Sequence, residues 1–339
     1  MRILGIETSC DESAVAVLDI AGPAAKPRVK VLANVVASQV KLHAKFGGVV
    51  PNLAKREHQR NLVPVLLMAL KEAGLLDKAK MKKQKVKMQG KNQNILSPIR
   101  SMLSAILERE PDLFARMVSK ITALPVPKID AIAVTVGPGL APALWVGVNF
   151  ARALSCLWEK PLIAVNHLEG HIVTNLLPQN DQNDENDKAA RRLHRVPLKT
   201  GRSVGFIDLI KVRFPALCLI VSGNHTELVL MRRHGDYRVL GETRDDAAGE
   251  AFDKVARMLE FGFPGGPIIS RLAGTGDSKA FNCPRPMMNS IKFDFSFSGL
   301  KTSVLYTLRD LKQISGQTKR DIAASFEQAV VDVLVAKTV

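Results

Sequence analysis

Two histidines four positions apart, His167 and His171 in VNHLEGHIVTN (165–175), have the plainest capacity for chemistry in this chain. Positions i and i+4 share one face of a helix, so both imidazoles could reach a single ion. Glu169 lies two positions from each, about 200° round a helix of ~3.6 residues per turn. In the metalloprotease motif HExxH the glutamate follows the first histidine directly and serves as general base. HLEGH therefore keeps a metal site open and disfavours a protease. A solvated helix face is the other reading, and spacing alone leaves both standing. The pair follows PLIAVNH (161–167), a strand-like run, and the exit of a buried strand is where α/β clefts open.

A second group lies in SGNHT (222–226). Ser222 and Gly223 can donate hydrogen bonds to a phosphate or carboxylate, and His225 could add another; the alternative is an ordinary β-turn. DDAAGEAFDKVARMLE (245–260) opens with Asp245 and Asp246, suitable as cap and dipole partners for a helix, and carries Asp253 within it. FPGGP (263–267) would let backbone approach the same ligand as Asp253. In SCDES (9–13), Asp11 and Glu12 could position water, metal or a substrate amine, or simply solvate a turn.

These groups need a scaffold. ILGIET (3–8), AVAVLD (14–19) and VKVLANVVAS (29–38) read as strands, followed by an amphipathic helix over about 51–73 with Leu53, Leu62, Val65, Leu66, Ala69 and Leu70 on its apolar side. Residues 77–127 break the rhythm and read as an insertion containing a helix near 98–119. IDAIAVTV (129–136), a GPGLAP turn, a helix over 143–160 and the strand PLIAVNH then alternate, which implies a largely parallel sheet. After an irregular stretch, 178–212, the run ALCLIVSGNHTELVLM (216–231) and YRVLGET repeat the strand–turn–strand–strand order of the N-terminus. The repeat suggests two related lobes, the arrangement of the actin, sugar-kinase and heat-shock-chaperone superfamily. The division expected is a first lobe over 1–177, an irregular insertion or linker over 178–212 and a second lobe over 213–339.

Bulk properties narrow the class. Hydrophobic residues make up 46% and charged residues 24%, an ordinary globular composition. No apolar run approaches the ~18 residues of a membrane span, and a strand-like run begins at residue 2, so neither a membrane nor a leader peptide is expected. Four scattered cysteines without a CxxC pair fit a reduced, cytoplasmic protein. The formal charge of +16 suggests a polyanionic partner, or a solvated basic loop. KAKMKKQKVKMQGKN (78–92) alone carries seven lysines and no acid, while an aromatic content of 5% argues against recognition by base stacking.

Taken together, ILGIETSCDESAVAVLD, FGGVVPNLAKREH, AVTVGPGL, VGVNFARAL, VNHLEGH, DDAAGEAFDKVARML, FPGGP and FSFSGLKT resemble the universal tRNA threonylcarbamoyladenosine synthase family, formerly called glycoprotease. The matches run in family order from residue 2 to about 338. The resemblance implies an acyltransferase that moves a threonylcarbamoyl group from threonylcarbamoyl-AMP to the exocyclic amine of adenosine 37 in tRNAs reading ANN codons. It implies other subunits of a transfer complex as partners, alongside tRNA. It also implies one divalent metal, iron(II) or zinc, on His167 and His171. Ile220, Val221, Ser222, Gly223 and Asn224 match the loop that holds the adenylate, and Asp253 and Gly266 match further substrate-binding positions. No catalytic residue is fixed by it; Asp11 and Glu12 are the candidates.

Departures from the family pattern set further expectations. Asn224 stands where the family carries a second glycine, so its side chain would crowd a phosphate or its backbone would be left-handed. Pro142 stands where glycine is usual. The chain ends at DVLVAKTV, ahead of GGVAAN-type and DNG-type segments that in the family supply a substrate-binding asparagine and the third metal ligand, an aspartate. The expectation is an incomplete second lobe and impaired activity. A degenerate, non-catalytic relative and a metal-dependent glycoprotease are the alternatives.

Overall fold

The computed structural model describes residues 1–23, 26–76, 93–176, 207–208, 212–311 and 313–339. The chain divides into two compact units, Met1–Leu42 with Val49–Ile210, and His43–Gly48 with Lys211–Val339. The lysine run at 78–92 lies outside the described residues, as does 178–212 apart from 207–208 and 212.

The first unit is built on a mixed sheet ordered β5-β4-β1-β2-β3-β6. Its strands are β1 (Arg2–Glu7), β2 (Glu12–Ala21), β3 (Arg28–Ser38), β4 (Ala131–Gly137), β5 (Leu162–Asn166) and the short β6 (Ile207–Asp208). The N-terminal strands form antiparallel hairpins, because turns of a few residues connect them. Only β1, β4 and β5 run parallel, joined through helical crossovers. The sheet is thus mixed rather than largely parallel. Its alternating apolar residues (Leu4, Ile6, Val15 and Val17) face a core covered by α1 (Pro51–Glu72) and α4 (Ala141–Trp158). The apolar stripe expected on α1 is buried except for Leu53, which is half-exposed, and the same helix buries His58 and Gln59.

The segment read as an insertion contains two helices, α2 (Gln93–Ile106) and α3 (Pro111–Lys120), not one over 98–119. Pro111 opens the second, since proline suits the first helical turn. Leu103, Leu107, Leu113, Met117 and Ile121 from these helices and their flanks are fully or almost fully buried in the same core as the sheet. This stretch is structural: each such leucine contributes roughly 1.5–3 kcal/mol by leaving water.

In the second unit β7 (Ala216–Val221), β8 (Thr226–Arg233) and β9 (Asp236–Glu242) form an antiparallel sheet in sequence order. This repeats the β1-β2-β3 arrangement, in keeping with the sequence repeat. Four helices follow: α6 (Ala248–Met258), α7 (Gly265–Ala273), α8 (Ser298–Asp310) and α9 (Gly316–Thr338). Their apolar faces meet around Val255, Ile269, Phe295, Phe297, Leu300 and Phe326.

Candidate active site

In the first unit the parallel strands β1, β4 and β5 end side by side, and each delivers a polar residue there. Glu7 closes β1, Thr135 lies near the end of β4, and His167 opens α5 (His167–Thr174) directly after β5. Asn166 fixes the start of that helix, its side chain accepting from the amides of Leu168 and Glu169 at 2.8 and 3.1 Å. The His167 Nδ1 faces Glu7 Oε2 at 3.3 Å and Ser9 Oγ at 3.2 Å. Its Nε2 faces His171 Nε2 at 3.1 Å. Imidazoles bound to one ion at ~2.0–2.1 Å hold their nitrogens roughly 3–3.4 Å apart, so the pair suits a shared cation. Among the described residues no group of three His, Cys, Asp or Glu side chains converges as a metal cage.

Nothing in the sequence marks Glu7 as a site residue. Burial pushes its carboxyl up, but hydrogen bonds from His167, Ser9 and Thr135 outweigh this and hold its pKa at about 2. The carboxylate is therefore ionised, with both oxygens engaged: the Ser9 amide donates to Oε1, and the Thr135 hydroxyl and His167 meet Oε2.

The turn carrying Asp11 and Glu12 follows the same end of β1. His58 of α1, fully buried, places Nδ1 2.8 Å from Ser13 Oγ and Nε2 3.0 Å from the Cys10 carbonyl, so it grips the turn on both sides. Asp11 is half-buried and Glu12 exposed. Beside them the GPG turn passes over Ser9, where the Leu140 amide donates to the Ser9 carbonyl at 2.8 Å. A Cβ on Gly139, whose φ is +155°, would come within 2.6 Å of that carbonyl oxygen, so only glycine fits. Pro142, the departure from the family pattern, sits in the first turn of α4, where its ring costs nothing.

In the second unit, Ile220 and Val221 finish β7 and Ser222 begins the turn to β8. The Ser222 hydroxyl accepts from the amides of Asn224 and His225 at 3.3 and 3.0 Å. Gly223 and Asn224 are exposed at its tip, and the Asn224 backbone does not adopt the left-handed conformation, one of the two expectations for it. The turn lies on the N-terminus of α6: the Ala248 amide donates to Thr226 Oγ1 at 2.9 Å and the Gly249 amide to the Ser222 carbonyl at 3.2 Å. A Cβ on Gly249 would stand 2.5 Å from that carbonyl oxygen.

The two aspartates expected to cap α6 do other work. Asp245 Oδ1 accepts from the amides of Phe297 and Ser298 at 2.8 and 3.1 Å, and so caps α8. Asp246 pairs with Lys254 and Lys301 at 2.6 and 2.7 Å. The cause is simple: the cap site of α6 is already filled by the incoming turn. Asp253 lies within α6, and its Oδ1 accepts from the Gly265 amide at 2.7 Å. Burial raises its pKa, against the pull of the Gly265 and Gly266 amides. Around Gly266 the space that a Cβ would occupy is open.

Comparison with known proteins decides among these chemistries. The sequence model of the tRNA N6-adenosine threonylcarbamoyltransferase family matches residues 30–80, 111–185 and 203–339. Proteins of that name from Thermomicrobium roseum, Thermosipho africanus and Bacillus cereus are 42%, 39% and 40% identical to the chain. These alignments cover 100%, 100% and 99% of the chain and 76%, 76% and 72% of the relatives. The chain belongs to the tRNA N6-adenosine threonylcarbamoyltransferase family. It is an acyltransferase of tRNA modification, and the peptidase reading falls away. A solved structure, YeaZ from Pseudomonas aeruginosa, is 15% identical over 74% of this chain and 70% of its own, with a TM-score of 0.29, too slight a likeness to argue from. Threonylcarbamoyltransferase sequence is interrupted here at 81–110 and 186–202, within the two stretches that read as irregular. Among the described residues no helix is long and apolar enough to cross a membrane.

Proposed function

We propose that the chain transfers the threonylcarbamoyl group of threonylcarbamoyl-AMP to N6 of adenosine 37 in tRNAs reading ANN codons, in the cytoplasm and together with other subunits of a transfer complex. The observation that carries the reading is identity of about two residues in five with proteins of that name across essentially the whole chain. In the reaction the amine nitrogen attacks the activated carbonyl carbon, the bond to the AMP phosphate oxygen breaks, and AMP leaves with that electron pair. The amine proton must be lost, and Asp11 and Glu12 are the carboxylates assigned to receive it, on a turn that His58 holds in place.

In this proposal the turn from Ile220 to Asn224 holds the adenylate. The support is its seat on the N-terminus of α6, a helix end whose dipole favours an anion. The exposed Asn224 side chain then has room to turn aside from a phosphate. Asp253 and Gly266 would contact the rest of the nucleotide, Asp253 as an acceptor for hydroxyls when its bond to the Gly265 amide is shared. His167 and His171 would hold one divalent metal, iron(II) or zinc, since two imidazoles suit either ion. Such an ion supplies Lewis acidity toward a carbamoyl or phosphate oxygen. Because the mixed anhydride is already activated, positioning by these residues supplies much of the acceleration.

The test is mass spectrometry of tRNA nucleosides from a strain lacking its own enzyme and complemented with this chain. Restoration of threonylcarbamoyladenosine is expected, with a drop of roughly tenfold or more in the His167→Ala and His171→Ala variants. Unmodified tRNA alongside abundant, folded chain and its partner subunits would overturn the proposal.

A further inference from the structure

We infer that Glu7 is the positioning residue that holds His167 in one tautomer, with the proton on Nδ1 and the Nε2 lone pair turned to the ligand side. The inference rests on the metal-pair reading above and adds to it a residue from the opposite end of the unit's sequence. Each ring nitrogen of His167 has its own environment. Nδ1 lies within reach of Glu7 Oε2 and Ser9 Oγ, whereas Nε2 is turned toward His171, at 3.1 Å. A carboxylate accepts and does not donate, so a proton between Glu7 and His167 belongs to Nδ1. The neutral ring then presents its lone pair at Nε2, the form a metal requires.

Glu7 is itself built to hold this position. It terminates the strand between β4 and β2, its backbone paired with Ala14 of β2 and that of Ile6 just before it with Val134 of β4. The Ser9 amide occupies Oε1, and the Thr135 hydroxyl from β4 shares Oε2 with the histidine. A carboxylate so clamped cannot swing away when the ring rotates. His167 is anchored in turn at the first position of α5, behind the Asn166 cap. Without Glu7 the ring could take the other tautomer, with Nε2 protonated and Nδ1 accepting from the Ser9 hydroxyl. Loss of such outer partners commonly weakens metal affinity about 10–100-fold.

Two measurements on the purified full chain test this. Long-range 15N–1H correlation of the histidine rings, without metal, should show His167 protonated at Nδ1 in the wild type and shifted toward Nε2 protonation in Glu7→Gln. Competition titration of zinc and cobalt(II) against a chromophoric chelator should show affinity about 10–100-fold weaker in Glu7→Gln, with His171→Ala as the control for the pair itself. An unchanged tautomer, or equal affinity in wild type and Glu7→Gln, overturns the role of Glu7. If the wild type binds neither ion while the tautomer still responds to Glu7→Gln, the metal-pair reading falls and the positioning role stands. Should Glu7→Gln not fold, Thr135→Val loosens the same carboxylate and is expected to move both readouts less, in the same sense; no movement in either would overturn the inference.

Discussion

Single residues in the second unit divide their work in ways that stability measurements can separate. Thr226 is fully buried, and its Oγ1 accepts the Ala248 amide at the start of α6. Thr226→Val keeps the shape and removes the acceptor, so a loss of about 1 kcal/mol is expected by urea denaturation. Asp246 supplies a pH signature. Burial pushes its carboxyl up, but the ammonium groups of Lys254 and Lys301 outweigh this and hold it below its ordinary 3.8. A carboxylate lowered by folding adds stability that is fully present above the unfolded value and is lost as pH falls through the folded one. Asp246→Asn should therefore be less stable than wild type at neutral pH, and the gap should close as pH falls below 3.8. A constant gap down to that acid range would contradict the ion-pair assignment. In the sequence Asp246 reads as a cap of α6, because local order cannot reveal that a turn from β7 already fills the cap.

Elements show why some of the molecule is legible in the sequence and some is not. The strands β1, β2 and β3 and the helix α1 follow from short-range alternation and caps, and they stand within about two residues of expectation. His167 and His171 are visible because four residues of one helix set their spacing. Glu7 is not, since its meeting with His167 depends on the parallel registers β1–β4 and β4–β5 across 160 positions. The stretch over 93–124 shows the same limit: its lost rhythm reads as an insertion and the family match is interrupted over 81–110, yet Leu103, Leu107 and Leu113 share the core of the sheet. Leu103→Ala and Leu113→Ala test this. Each residue is 0% exposed, so a loss of about 2–5 kcal/mol is expected in calorimetry or denaturant melts, against under ~0.5 kcal/mol for a surface appendage. A tight approach gives a parallel test at the turn proposed to hold the adenylate. The new Cβ in Gly249→Ala would stand 2.5 Å from the Ser222 carbonyl oxygen and must push it away. Modification of tRNA should then fall about tenfold or more while the chain stays folded by circular dichroism.

Charge belongs to the whole molecule. A formal +16 with a partner as anionic as tRNA implies association driven largely by counterion release, so affinity must fall linearly with salt on logarithmic axes. Fluorescence anisotropy with unmodified tRNA should show such a line between about 50 and 200 mM salt, a range over which a protein making several phosphate contacts weakens roughly 10³–10⁵-fold. The lysines at 78–92 lie outside the described residues, and most of them fall in the stretch where the family match is interrupted. Sequence alone allows either a solvated loop or additional tRNA contact there, and the slope distinguishes them. Changing Lys82, Lys83, Lys85 and Lys87 to glutamine removes four charges without touching the described core. If these lysines neutralise phosphates, the slope should become shallower by about 0.7–0.9 for each phosphate released, and affinity at low salt should drop across all tRNAs alike. If they only solvate the chain, slope and affinity will match wild type while solubility declines. A change confined to tRNAs reading ANN codons would fit neither outcome, because phosphate contacts carry no sequence information.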